Sequence, residues 1–305
     1  DKDETIVFRV LQLLTLLQVS GYLNELEEEQ LDLVDVLVFD PLCSDRVRKA
    51  ALLFLMNHTE GFDDVSSSAQ AQAEEEDEIE AVAISSQNKG KKGKKNQKQS
   101  VDESKSLARR QRVAAQLETL AEFASFHIDR NMGVTLESID RLADACLLLP
   151  EFEAIYDWAT IVDLLMKEGD DIIANPLSDT LASIILRLFV RSAVDLNQRK
   201  TQATARKTSD FDQSGNIGKP RPHSKAAKAD SAWAFLQGRW DGLNECLRKN
   251  LPALLLRYRD DDANMLQLVN LIQCCEFMPS HQKALKPLMK IVTELFDSYN
   301  HNSCK

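Results

Sequence analysis

Between Leu31 and His58 the apolar residues recur at helical spacing on both sides of a single proline, and this pairing constrains the fold more than any other feature of the chain. Leu31, Val34, Leu37 and Val38 fall on one stripe of a helix. After Pro41 the chain restarts, and Val47, Ala50, Ala51, Phe54 and Leu55 form a second stripe with the same period. A helix pair of about 30 residues cannot bury both stripes alone, so it must stack on neighbours, and repeated stacking builds a solenoid. In the polar turn, Asp45 is placed to cap the second helix by accepting from its free amides, with Arg48 one turn in.

The rest of the chain keeps the same period. Helices are predicted over 4–19, 26–39, 44–58, 107–129, 135–149, 153–167, 177–198, 230–248, 251–258, 262–277 and 281–300. Their inward stripes include Val113, Leu117 and Ala124, then Ile139 and Cys146, then Trp158, Ala159 and Val162, then Ile184 and Leu188, and finally Met265, Leu268 and Val269. Pro176 is expected at a first-turn position. Alternating β-branched runs joined by tight Asn-Gly or Asp-Gly turns are missing, which points to an all-α chain of stacked antiparallel helix pairs.

Two charged insertions interrupt this pattern. From Glu60 to Glu80 there are nine acidic residues and no basic one; from Lys89 to Arg112 there are ten Lys and Arg against Asp102 and Glu103. A second basic stretch carries Arg199, Lys200, Arg206, Lys207, Lys219 and Arg221. Too few apolar residues are present there to offset the entropy of ordering, so both insertions are expected to be disordered. The expected organisation is helical over 1–59, disordered over 60–105, helical over 106–198, disordered over 199–229 and helical over 230–305. Beginning at Asp1 and ending just after an apolar helix, the chain is expected to be a segment of a longer protein.

Catalytic signatures are absent: there is no phosphate-cradling glycine loop, no nucleophile elbow and no H-E-x-x-H. The five histidines are far apart, and His127 and Asp129 face different ways on one helix, so His127 reads as a surface or half-buried structural residue. Asp260, Asp261 and Asp262 resemble a metal cluster but are better placed to end one helix and cap the next. The six cysteines form no C-x-x-C pair and mostly occupy apolar stripes, as in a reducing compartment. No enzyme activity, cofactor, metal, small-molecule substrate or membrane is therefore expected. Trp158, Trp233 and Trp240 read as packing residues, Trp240 being the most exposed of the three.

A net charge of −11 argues against a uniform coat on nucleic acid. Local basic patches still act, because contacts within a Debye length of about 8–10 Å outweigh the total. Lys89, Lys91, Lys92, Lys94 and Lys95 form a lysine-dense, aromatic-free cluster suited to phosphate binding by counterion release, and also to nuclear import.

The helix pair at 31–58 resembles a HEAT repeat, in which the arginine at the place of Arg48 bonds to an aspartate or a carbonyl of the adjacent repeat. Several segments in order resemble one HEAT family, the stromalins, the SA/STAG-type subunits of cohesin. They are the V-R-x-A-A-x-x-F run of Val47–Phe54, the Asp157-Trp158 pair before an apolar helix, the long helix over 181–198 before a basic loop, and the L-P-x-L-L start of 251–272. The two insertions depart from that pattern. The resemblance implies a non-enzymatic, nuclear, chromatin-associated scaffold that binds the kleisin subunit and double-stranded DNA without reading sequence. HEAT-type loader and release factors would be further partners. By charge alone, Arg46, Arg48, Lys49, the Lys89–Lys98 cluster, Arg199, Lys200, Arg206 and Lys207 are the candidate DNA contacts. A karyopherin-like carrier or another HEAT-repeat protein-binding scaffold is the alternative.

Overall fold

The computed structural model describes residues 2–23, 28–58, 95–130, 135, 137–149, 152–166, 177–213, 223–274, 286 and 289–294. Among them the regular elements are all helical. They are α1 (Lys2–Val19), α2 (Glu28–Phe39), α3 (Asp45–His58), α4 (Lys95–Asp129), α5 (Ser138–Leu147), a 3-10 turn at Glu153–Tyr156, α6 (Trp158–Met166), α7 (Asp179–Gln213), α8 (His223–Arg257) and α9 (Asp262–Gln273).

The stripes of the first helix pair are buried as their spacing requires. Val34 and Val38 of α2 and Val47, Ala51, Phe54 and Leu55 of α3 all belong to the core. α3 packs on both α1 and α2, and both α2 and α3 touch α5. The turn is built differently from its sequence expectation. Asp45 is itself the first residue of α3, and its Oδ1 accepts from Arg48 Nη1 at 2.9 Å. Arg48 Nη2 donates to the carbonyls of Asp40 at 3.1 Å and Cys43 at 2.7 Å. Arg48 is thus buried and staples its own turn rather than an adjacent helix pair.

The helices extend into both basic insertions. α4 starts at Lys95, inside the stretch expected to be disordered; α7 continues to Gln213, and α8 begins at His223. Residues such as Lys, Gln, Arg and Ala are strong helix formers, and a helix already fixed by packing at one end propagates through them at little cost per residue. The remainder of the two insertions lies outside the described residues, as do Pro176 and the helix predicted over 281–300, apart from residues 286 and 289–294. α8 also runs unbroken through residues 249–250, where a break between two helices was expected, and through Pro252 of the second. Proline removes one N–H from the helix, that which the Arg248 carbonyl would accept, while Leu251, Leu254 and Leu255 on either side are held in the core.

One continuous core joins all the helices, from Leu11 of α1 to Ile291. α7 contributes most densely: Ile184, Ile185, Leu186, Leu188, Phe189 and Val190 are buried in near-continuous succession. Such a run is the mark of a helix enclosed by neighbours rather than lying on a surface, and α7 contacts α4, α5, α6, α8, α9 and the 3-10 turn. Against α5 it is registered by two parallel forks. Arg187 holds Asp140 at 2.8 and 3.1 Å, and Arg191, one turn on, holds Asp144 at 2.6 and 3.0 Å. Three stripe residues depart from expectation, Ala159, Val269 and, in the last predicted helix, Val292 being exposed. Asp261 caps α9 as expected, its Oδ1 accepting from the Asn264 amide at 3.0 Å.

Cys146 is fully buried in α5, and burial pushes its thiol far above the ordinary range. Because the thiolate is the nucleophile, Cys146 is expected to resist iodoacetamide in the folded chain and to react once urea unfolds it. Mass spectrometry of the alkylated protein reads the difference; rapid modification of Cys146 without denaturant would show that α5 is not packed into the core.

Candidate functional site

α1 and α3 pack side by side and leave between them a groove of about 630 Å³. Phe8 of α1 and Ala50 and Leu53 of α3 form its apolar floor, with Leu16 exposed beside them, while Arg9, Arg46 and Lys49 line it as cations, with no acidic side chain among the lining residues. The Arg46 guanidinium lies 3.8 Å from the centre of the Phe8 ring, which holds the charge at the rim by a cation–π contact. Arg9 Nη1 donates to Gln12 Oε1 at 3.1 Å.

Glu4 Oε1 accepts from the Ser44 amide at 3.0 Å and ties α1 to the start of α3. Hydrogen bonds from the Ser44 side chain and backbone hold the Glu4 carboxyl below the usual range, with the Arg46 charge a smaller influence. A lowered carboxyl favours the folded chain above its unfolded pKa and loses that contribution as pH falls through the folded one. The α1–α3 contact is therefore expected to loosen on acidification, and Glu4→Gln to show less of this acid sensitivity in amide exchange of α1.

A second concentration of cations and aromatics lies where α4, the 3-10 turn and α8 meet around a cavity of about 450 Å³. The Arg239 guanidinium is 4.1 Å from the centre of Tyr156 and 4.4 Å from that of Phe235. Its Nη2 donates to Glu153 Oε1 at 3.3 Å, while Arg109 Nη2 is 3.7 Å from Glu153 Oε2. Burial raises the Tyr156 hydroxyl, so it remains a neutral phenol. Lys200 Nζ stands 4.3 Å from the centre of Trp240, which is buried rather than exposed. Arg199 is paired with Asp195 on its own helix at 2.7 Å.

The candidate cations thus divide into separate groups. Arg46 and Lys49 converge on the α1–α3 groove, joined by Arg9, which charge clustering in the sequence did not single out. Arg48 is engaged in its own turn and does not line the groove. Arg199 and Lys200 are engaged by Asp195 and Trp240. Arg206 and Lys207 lie on α7, and Lys95 opens α4, but their side chains fall outside the described residues, as do Lys89, Lys91, Lys92 and Lys94 altogether.

No family model, curated protein or solved structure matches this chain. Geometry and charge alone bear on its role. Among the described residues there is no grouping of three or more metal-ligating side chains, and no helix is long and apolar enough to cross a membrane. The α1–α3 groove offers apolar contact flanked by fixed positive charge, an arrangement suited to an anionic backbone or to an extended acidic segment.

Proposed function

We propose that the chain is a non-enzymatic scaffold of the stromalin type, a HEAT-repeat solenoid that binds the kleisin subunit of cohesin and grips duplex DNA in the nucleus. In this reading the helices stack so that kleisin lays apolar side chains between them along an extended path. Positive charge on an adjoining surface holds phosphates without reading bases. The observation that carries the proposal is the α1–α3 groove, where Arg9, Arg46 and Lys49 stand over an apolar floor. The order of sequence motifs adds the family resemblance. α1 also exposes Ile6, Leu13 and Leu16, each more than half accessible, as does a helix that presents a face to a further helix or an extended partner.

The test is a pull-down with a central kleisin fragment, paired with titration of duplex DNA at two salt concentrations. Kleisin capture together with a steep salt dependence is the expected result. Arg46→Ala combined with Lys49→Ala is expected to reduce the slope of log affinity against log salt by about 1.8, close to 0.9 for each phosphate that the protein then leaves unneutralised. An unchanged slope would remove the groove from the DNA surface. A well-folded sample that captures neither kleisin nor DNA would reject the scaffold reading.

A further inference from the structure

α4 is held against α2 along one edge. His127 of α4 is 1% exposed, more deeply buried than its place in the sequence suggested, and its Nε2 pairs with Asp35 Oδ2 of α2 at 3.1 Å. Arg130 Nη1 meets Asp32 Oδ2 at 3.5 Å. A different edge of α4 carries Glu122, Phe126 and Asp129 at i, i+4 and i+7, one line along the helix. All three are exposed, and Phe126, a large apolar ring, is 44% accessible. Among the described residues neither carboxylate has an ion-pair partner. The cation beside them, Arg130, lies over the Phe126 ring at 4.1 Å and is paired with Asp32.

The groove between α1 and α3 is the converse of this stripe. Its apolar floor lies under Arg9, Arg46 and Lys49, and no acidic side chain lines it. Lys49, like the two carboxylates, has no ion-pair partner among the described residues. The α3 wall of the groove runs from Arg46 to Leu53, and the stripe from Glu122 to Asp129. Each is two turns of helix, about 10 Å long.

Within one chain the two surfaces cannot meet. Lys49 and Met56 stand two turns apart on one line of α3. Lys49 lines the groove with α1, whereas Met56 lines a seam with Glu122 and Phe126 of α4. Groove and stripe therefore flank α3 on its two sides, and α3 stands between them.

We propose that the α1–α3 groove docks the Glu122–Phe126–Asp129 stripe of a second copy of this chain. The ring enters over Phe8, Ala50 and Leu53, beside the Arg46 guanidinium that already lies over one aromatic face at 3.8 Å. The carboxylates, one to either side of the ring, face Arg9, Arg46 and Lys49. Duplex DNA uses such cations alone and leaves the apolar floor unfilled; the stripe uses both. Groove against groove and stripe against stripe repel, so the contact joins unlike surfaces of the two copies. The inference shares its groove with the scaffold reading and needs neither DNA nor kleisin.

Sedimentation velocity of the intact chain without nucleic acid tests it, at about 0.1 M and about 1 M salt, where the screening length shortens from about 10 to about 3 Å. At the lower salt the mean mass is expected to rise from one chain towards two or more as concentration passes the order of 10 µM, and to fall back at the higher salt. Arg46→Ala with Lys49→Ala removes charge from the groove. Glu122→Gln with Asp129→Asn removes it from the stripe, at exposed positions with little risk to the fold. Each double variant alone is expected to remain a single chain. An equimolar mixture is expected to pair one to one, the intact groove of one taking the intact stripe of the other. A parent chain that stays single up to about 1 mM, variants that associate as well as the parent, or a folded mixture that fails to pair would each overturn the proposal. Should the parent bind DNA with the expected salt slope and yet remain a single chain, the second copy is ruled out and the DNA reading stands.

Discussion

Val47→Asp is expected to lower the stability of the chain by roughly 4 kcal/mol or more, the cost of a buried and unpaired charge. Val47 is 1% exposed and sits on the face of α3 that meets the other helices. Its neighbouring cations are committed elsewhere: Arg46 reaches out over Phe8, and Arg48 is bound to the turn. Urea unfolding followed by circular dichroism measures the loss. A change below about 0.5 kcal/mol would mean that the residue faces solvent and that the helix pair is packed in another register.

Arg48→Met is the second large effect expected, about 2–4 kcal/mol. Methionine keeps much of the volume of the stem but removes every donor. The carbonyls of Asp40 and Cys43 are deprived of a charge-assisted bond in a half-buried turn, and Asp45 of the cation that its carboxylate faces. Arg48→Lys is expected to recover only part of the loss, because one ammonium cannot reproduce the geometry of a fork that spans two carbonyls and a carboxylate. Affinity for DNA should change little in a folded Arg48→Lys sample. A selective fall in DNA affinity with unchanged stability would reverse this assignment and return Arg48 to the binding surface.

The apolar stripes were legible in the sequence because burial at helical spacing leaves a periodic trace. Phe54, Leu117, Leu142 and Leu188 are all core residues, and each falls on the stripe its spacing defines. Helix ends were less legible where apolar residues thin out. At Lys95 and beyond Arg199, helix propensity continues the coil without an apolar face, so a reading based on periodicity stops too early. The break expected at 249–250 erred the same way: Pro252 falls inside the helix expected from 251, and the packing of Leu251, Leu254 and Leu255 carries one unbroken helix across it.

Site residues were harder still, because clustering of charge along the chain says nothing of what each side chain meets in space. Arg46, Arg48 and Lys49 are near neighbours in sequence, yet two line a groove and one is buried in a turn. Arg9 joins them from another helix, and His127 of α4 meets Asp35 of α2 across a long stretch of intervening chain. Nothing short of tertiary structure brings such partners together.

The enclosure of α7 has a mechanical consequence. A solenoid whose units touch only their immediate neighbours can peel open from an end, one unit after another. Here five helices lean on a single shared one, so any of them that detaches uncovers part of that common helix. Pulled from its ends, this part of the chain would hold until the packing around α7 fails as a whole, and would then give way in one step rather than stretch by degrees.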